Sequence, residues 1–371
     1  MRLLKLFSTM HQFDSFDAFA EEFVLSADDL VITQGFLYDD YMAHLNLKCA
    51  WLFQEKYGAG EPTDEMIDAM MADAPDTYNR VIAVGGGTVI DIAKLFALKR
   101  APKAEMLFDK SVPPVRKKRL VIVPTTCGTG SEVTNISIAE LKKKHTKLGL
   151  ADDNLLADEA VLIPQLLTKL PYKFFVFSSI DALIHAMESM VSPKSNPYTE
   201  IFARSAIEMI MKGYARIIEN GPDARLEDLS EYLIASNYAG IAFGNTGVGA
   251  VHAMSYPLGA AYHVAHGESN YEFLTAVFNA YYMANPGGRI QKLCTLLGGL
   301  LDENDDARVF DALSRRLGAI ISRKPLRDYG MKPEETDSFA ASVIEKQQRL
   351  LVNSYVPMDQ TAIARIYKQL Y

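Results

Sequence analysis

The sequence predicts an α/β N-terminal domain with a mostly parallel sheet, residues 1–166, followed by an all-α C-terminal domain, residues 167–371. Three observations carry this. Short apolar runs recur through the first part, helical periodicities separate several of them, and after residue 166 the helical patterns continue while the strand-like runs stop. At 371 residues, 49% hydrophobic and 23% charged, the chain has the material for two cores under an ordinary solvated surface.

The apolar runs are LVIT at 30–33, AWLF at 50–53, VIAV at 81–84, LVIV at 120–123 and AVLI at 160–163. They are aliphatic or β-branched with no polar alternation, as strands buried on both faces require. Between them, EMIDAMMADA and TVIDIAKLFALK set apolar residues at helical spacing. Strands that alternate with helices pair in parallel and use the helices as crossovers. In the second part SSIDALIHAMESMV, TEIFARSAIEMIMKGYARII, LEDLSEYLIASNYAGIA and DARVFDALSRRLGAII all keep the helical period. A cleft between two such domains is a common place for a ligand. No internal repeat or low-complexity linker is visible.

Composition excludes several classes. No stretch approaches the roughly 20 uninterrupted apolar residues of a membrane span, and the N-terminus shows no cleavage site of a secretory signal. Cys49, Cys127 and Cys294 are odd in number and widely spaced, with no CxxC pair, which points to a reducing, cytoplasmic location. A formal net charge of −8 disfavours nucleic acid as a partner. The basic cluster Arg116-Lys117-Lys118-Arg119 stands directly before LVIVP and reads as a solvated strand entrance.

Two loops have the chemistry of phosphate recognition. Val81 to Asp91, VIAVGGGTVID, runs from a strand through three glycines into a helix. Glycines let a backbone approach an anion, and the first N–H groups of the helix point at it. The motif is neither GxGxxG nor a P-loop, so a plain tight turn explains it equally well. The second loop, PTTCGTGSEVT at 124–134, again follows an apolar strand and supplies hydroxyls and glycines. Two such loops at strand ends suit a dinucleotide lying across the carboxyl edge of the sheet. Cys127, with no histidine near it in sequence, reads as a small packed residue.

A second constellation suits a divalent metal. Asp181 and His185 are four apart on a strong helical pattern, so both project from one face. Four of the seven histidines fall in the C-terminal domain, and His252, His263 and His266 crowd into an apolar, glycine-punctuated stretch. Satisfied core histidines are the plain reading of that stretch. Their company with an Asp–His pair favours ligands.

Together GGGTVIDIAK, PTTCGTGSEVT, IDALIHAMESMVS with NPYTE, and GVGAVHAMSYPLGAAYHVAHG resemble the iron-containing (group III) alcohol dehydrogenase family, in order and over most of the chain. Within it, FQEKYGAGEPTDEMID is similar to the 4-hydroxybutyrate dehydrogenases of fermentative bacteria. The resemblance implies a nucleotide-binding N-terminal domain, NAD as cofactor with NADP possible, and Fe²⁺ or Zn²⁺ held by Asp181, His185, His252 and His266. It puts cofactor contacts on Gly86, Gly87, Thr88, Asp91, Thr125, Thr126, Thr134 and Lys147. On composition alone Lys147, in KKKHTK, is a solvated hairpin tip.

Three departures from the family pattern stand out. Gln34 occupies the place of an aspartate that meets the adenosine ribose, Tyr256 replaces a second histidine, and a DPxL segment reads Ile163-Pro164-Gln165-Leu166, which alters only a turn. The expected reaction is hydride transfer between NAD(H) and a small primary alcohol or aldehyde, 4-hydroxybutyrate and succinic semialdehyde foremost, with His263 or Tyr256 moving the hydroxyl proton. The alternatives are a general short-chain alcohol or diol dehydrogenase, a dehydroquinate-synthase-like lyase, and a nucleotide-binding module with a structural metal. A homo-oligomer, in the first instance a dimer, is expected.

Overall fold

The computed structural model describes residues 2–144 and 146–371. They form two compact units, Leu6–Leu170 and Pro171–Tyr371, the second including the short segment ahead of Leu6.

The first unit contains, in order, β1 (Thr9–Gln12), α1 (Phe16–Glu22), β2 (Asp29–Thr33), α2 (Gly35–Tyr41), β3 (Ala50–Phe53), α3 (Asp64–Asp73), β4 (Arg80–Gly85), α4 (Gly87–Phe96), α5 (Glu105–Phe108), β5 (Arg119–Pro124), β6 (Ile136–Leu141), β7 (Thr146–Ala151) and β8 (Glu159–Leu162). Among the described residues, six strands make one sheet in the order β1-β8-β5-β4-β2-β3, with every neighbouring pair parallel. The five apolar runs are β2, β3, β4, β5 and β8. β1 is an addition at the sheet edge, and β6–β7 forms a separate antiparallel hairpin.

Burial explains the strand composition. β2 is buried throughout, and β4 and β5 are buried beyond their first residue, the pattern of a sheet covered on both faces. Alternate residues Leu30 and Ile32, Val81 and Ala83, and Leu120 and Ile122 share a core with Ile67 and Met70 of α3 and Ile90 and Ala93 of α4. Thr63 starts α3 by accepting the Met66 N–H at 3.1 Å. From β4 the chain moves through α4 to β5 on one side, whereas β3 lies two strands away on the other. The carboxyl ends of β2, β4 and β5 therefore stand side by side where the strand order reverses, the place at which open α/β sheets bind ligands.

The second unit is helical: α6 (Tyr172–Val191), α7 (Pro197–Asn220), α8 (Leu229–Thr246), α9 (Ala250–Tyr262), α10 (His266–Ala284), α11 (Gly288–Leu301), α12 (Val309–Ile320), α13 (Glu335–Lys346), α14 (Gln348–Leu351) and α15 (Gln360–Leu370). α6 is the central element, packed by α7, α8 and α10 and buried from Ser179 through Val191. By length and overall apolarity it is the one described helix that could cross a membrane. A search for uninterrupted apolar runs misses it because Lys173, Asp181, His185 and Glu188 break the run; most of it is interior to the fold. α7 opens with a capping box between Asn196 and Thr199 and with Pro197 at its first position.

The three cysteines are free and buried. The basic cluster is internally paired: Arg116 meets Asp158 at 2.7 Å and Arg119 meets Glu159 at 2.8 Å.

Candidate metal centre and cofactor loops

The first unit gathers most of the expected cofactor residues at adjacent strand ends. Gly86 caps α4 with no side-chain hydrogen bond, leaving the first N–H groups of that helix facing outward from the end of β4. The loop after β5 is tied to it: Thr125 N–H donates to Gly85 O at 3.1 Å. A Cβ on Gly87 would stand 3.1 Å from Thr129 Cγ2, and one on Gly86 would stand 3.4 Å from Thr126 Cγ2. The two loops thus approach at van der Waals distance through Thr126 and Thr129. Gln34 ends the neighbouring β2 and caps α2, half-buried and without a side-chain cap bond.

Asp91 and Thr134 belong to a buried polar network within the unit. Asp91 Oδ2 accepts the Ile138 N–H at 2.9 Å, and Ser137 Oγ donates to Asp91 O at 2.8 Å. Lys94, wholly buried, donates to Ile136 O at 2.6 Å and to Thr134 Oγ1 at 3.3 Å, with its Nζ 3.8 Å from Asp91 Oδ1. Burial raises the Asp91 carboxyl and lowers the Lys94 amine from their usual ranges, each partly restored by the other's charge. The network fastens β6 to α4 and so holds the hydroxyl loop against the glycine turn. Lys147 lies on β7, half-buried and ion-paired with Glu61, and Thr88 Oγ1 donates to Gly60 O at 3.1 Å.

The second unit brings Asp181, His185, His252 and His266 into one cluster, with one donor atom from each within 4.8 Å of all the others. Asp181 and His185 project from successive turns of α6, His252 from the first turn of α9, and His266 begins α10. Gly267 makes this approach possible: a Cβ there would lie 2.4 Å from Phe177 O on α6. His185 Nε2 is 3.0 Å from His252 Nε2, and Asp181 Oδ1 is 3.6 Å from His252 Nε2 and 3.9 Å from His266 Nε2.

This donor set fits a divalent ion. Nitrogen and oxygen ligands about 2.1 Å from a tetrahedral centre lie roughly 3.4 Å apart, and the observed separations bracket that value. Two imidazole Nε2 atoms facing each other share at most one proton, whereas a metal satisfies both lone pairs and the carboxylate together. Asp181, His185 and His252 are buried and His266 is partly exposed, so the cluster is closed on one side and reachable on the other.

Three further residues hold the ligands. Glu188 Oε2 accepts from His252 Nδ1 at 2.7 Å while Oε1 accepts the Val251 N–H at 2.8 Å, which leaves the His252 Nε2 lone pair directed at the cluster. Asn270 Nδ2 is 2.7 Å from Asp181 Oδ1 and 3.1 Å from His266 Nε2. Phe243 stacks on His185 with centroids 4.1 Å apart. Burial alone would raise the Asp181 carboxyl, but the three histidines and Asn270 outweigh it and hold it below the usual carboxylate range. Burial likewise works against protonation of His252, and Glu188 overcomes it, so the ring is held above its usual range.

Sequence reasoning missed all three supports, although helical spacing carried a signal for two: Glu188 is three residues after His185 and Asn270 four after His266. Tyr256 is half-buried on α9 with its ring 6.2 Å from that of His266. His263 lies at the end of α9, exposed and in the left-handed conformation (φ 53°) that turns the chain toward α10.

Residues 9–164 match the profile of iron-containing alcohol dehydrogenases, and residues 175–371 match that of the C-terminal part of the Fe-containing alcohol dehydrogenase family. The chain belongs to the iron-containing alcohol dehydrogenase family. It is an oxidoreductase acting on CH–OH groups, and neither profile is that of a dehydroquinate-synthase-like lyase. This family member is 54% identical over 372 residues to the 4-hydroxybutyrate dehydrogenase of Clostridium kluyveri, covering 100% of both chains. It is 35% identical to long-chain-alcohol dehydrogenase 1 of Geobacillus thermodenitrificans, over 84% of this chain and 80% of that one. Among solved structures, a 1,3-propanediol oxidoreductase superposes with TM-score 0.85 at 22% identity over 100% of both chains. The sulfoacetaldehyde reductase of Bifidobacterium kashiwanohense, in complex with NAD+, superposes with TM-score 0.86 at 22% identity over 99% of this chain and 98% of that one. These two likenesses establish the fold.

Proposed function

We propose that the protein is an NAD-linked, metal-dependent 4-hydroxybutyrate dehydrogenase, interconverting 4-hydroxybutyrate and succinic semialdehyde. The observation that carries the reaction class is the cluster of Asp181, His185, His252 and His266. The substrate is supported by the full-length likeness to the Clostridium kluyveri enzyme. When bound, a divalent ion such as Fe²⁺ or Zn²⁺ supplies Lewis-acid polarisation of a carbonyl oxygen, and the nicotinamide supplies hydride exchange at the carbonyl carbon.

The chain's own residues do the rest. Asp181 sets a negative charge among three imidazoles, Glu188 fixes the tautomer of His252, and Asn270 steadies Asp181 and His266 together. The glycine turn and hydroxyl loop receive the dinucleotide diphosphate through Gly86, Gly87, Thr88, Thr125 and Thr126, with Gln34 at the adenosine ribose. Asp91, Thr134 and Lys147 complete that side, the first two by holding the loops in place. The hydroxyl proton passes to His263, exposed and able to exchange with water, or to the Tyr256 phenol beside His266. NAD is the preferred cofactor and NADP is tolerated. The enzyme works in the cytoplasm as a homo-oligomer, in the first instance a dimer.

The test is NADH absorbance at constant metal loading, comparing 4-hydroxybutyrate with butan-1-ol and succinic semialdehyde with butanal. The proposal expects a large kcat/KM advantage for the charged members. Equal values would leave a general alcohol dehydrogenase, and turnover unaffected by complete metal removal would refute the metal-dependent reading.

A further inference from the structure

We infer that Tyr281 is a positioning residue of the metal centre: its hydroxyl caps α9 and thereby holds His252 in place among the other three ligands. The inference rests on the metal-dependent reading. α9 has no cap of its own. Its N-cap is Gly249, which offers no side chain to the unpaired N–H groups that begin a helix. A side chain is kept out of that position, because a Cβ there would stand 3.3 Å from Glu188 Oε1 and 3.3 Å from Ser354 Cα. The turn ahead of it is fixed by Asn353, whose Nδ2 donates to Val248 O at 3.1 Å.

Two neighbouring helices supply the missing cap. Val251 N–H donates to Glu188 Oε1 on α6 at 2.8 Å, and Ala250 N–H donates to the Tyr281 hydroxyl oxygen on α10 at 3.3 Å. α6 carries Asp181 and His185, and α10 carries His266. Each borrowed cap therefore ties the turn that bears His252 to a helix that bears other ligands. Ala250 is 0% and Tyr281 1% exposed, so solvent does not satisfy this N–H in place of the hydroxyl. The Tyr281 ring is set edge-on to Phe278 and Tyr355, with centroids 5.6 and 6.0 Å away. Burial, with the Glu188 charge adding to it, holds the phenol far above its usual range, so the hydroxyl stays neutral and serves as a cap and not as a base.

Tyr281→Phe deletes the hydroxyl and keeps the ring. Tyr271→Phe is the control, because that phenol is also buried on α10 but donates to Ile321 O at 3.0 Å and not to α9. The metal-free proteins are titrated with Co²⁺, whose visible absorption reports both affinity and ligand geometry, and urea unfolding of the same samples follows the fold. Without the hydroxyl the first turn of α9 opens toward solvent, and an ion has to close it again in order to bind. Tyr281→Phe is therefore expected to weaken Co²⁺ binding roughly 5- to 100-fold and to change its spectrum. Tyr271→Phe is expected to lower stability while affinity and spectrum stay at wild type. An affinity within twofold of wild type in Tyr281→Phe, or an equal loss in Tyr271→Phe, would make Tyr281 an ordinary core residue and overturn the assignment alone. A wild type that binds no Co²⁺ overturns the metal-dependent reading and the assignment with it.

Discussion

Glu188→Gln isolates the contribution of a residue that touches neither substrate nor metal. Both carboxylate oxygens of Glu188 accept hydrogen bonds, Oε2 from His252 Nδ1 at 2.7 Å and Oε1 from Val251 N at 2.8 Å. An amide of nearly the same shape has one acceptor and one donor, so it faces two N–H groups with a single oxygen. Either an N–H is left unpaired in a buried site, or His252 changes tautomer and turns an Nε2–H toward the cluster, where no lone pair remains for a metal. A charge-assisted bond contributes about 1.5–3 kcal/mol and its neutral counterpart about 0.5–1.5 kcal/mol. The substitution therefore costs roughly 1–2 kcal/mol, about a 5- to 30-fold loss of metal affinity, which overlaps the lower part of the range of about 10- to 100-fold known for residues that orient metal ligands. Competition with a chelating indicator measures the affinity, and thermal unfolding of the metal-free protein shows whether the fold is preserved. An affinity within twofold of wild type would refute the reasoning.

Three further outcomes are expected. Gln34→Asp should raise the preference for NAD over NADP in kcat/KM, because a carboxylate repels a 2′-phosphate; an unchanged ratio would remove Gln34 from the ribose site. If His263 carries the proton, His263→Ala should lower kcat and abolish the acidic limb of the pH–rate profile with metal content unchanged, while Tyr256→Phe leaves that limb intact. The reverse pattern assigns the proton to Tyr256. Glu272 is pushed up to about 7, chiefly by burial, against the opposing pull of Tyr329 and the Lys324 N–H. The folded state then binds more protons than the unfolded chain between the usual 4.5 and about 7, so stability falls as pH rises through that window. Glu272→Gln should flatten this decline in urea unfolding compared at pH 5 and pH 8, and a decline equal to wild type would show that Glu272 does not cause it.

The parts of the fold that were legible in sequence are those governed by continuous burial. β2, β4, β5 and β8 are stretches that must be apolar on both faces, and helices between them leave one sensible topology. β1, with the sequence TMHQ, has no such signature: three of its four residues are exposed, and only its ladder with β8 makes it a strand. The hairpin β6–β7 was obscured by the lysine run at its tip and by a half-buried pattern interrupted by Glu140 and Lys147. At the metal centre, helical spacing linked Asp181 to His185, but nothing local joins them to His252 and His266, which arrive on other helices. Their crowding with His263 in an apolar stretch favoured ligands, and only the family resemblance picked these two out of the three.

The ligands on α6, α9 and α10 run from position 181 to position 266 and converge on a single point. An ion bound there acts as a cross-link through the middle of the helical unit, so its concentration becomes a variable of stability as much as of catalysis. Because it binds the assembled cluster and not the unfolded chain, each tenfold increase in free metal above its dissociation constant adds about 1.4 kcal/mol to unfolding. The melting temperature of this enzyme should therefore be a titration curve in metal, and scarcity of the ion would deplete the folded population along with the turnover.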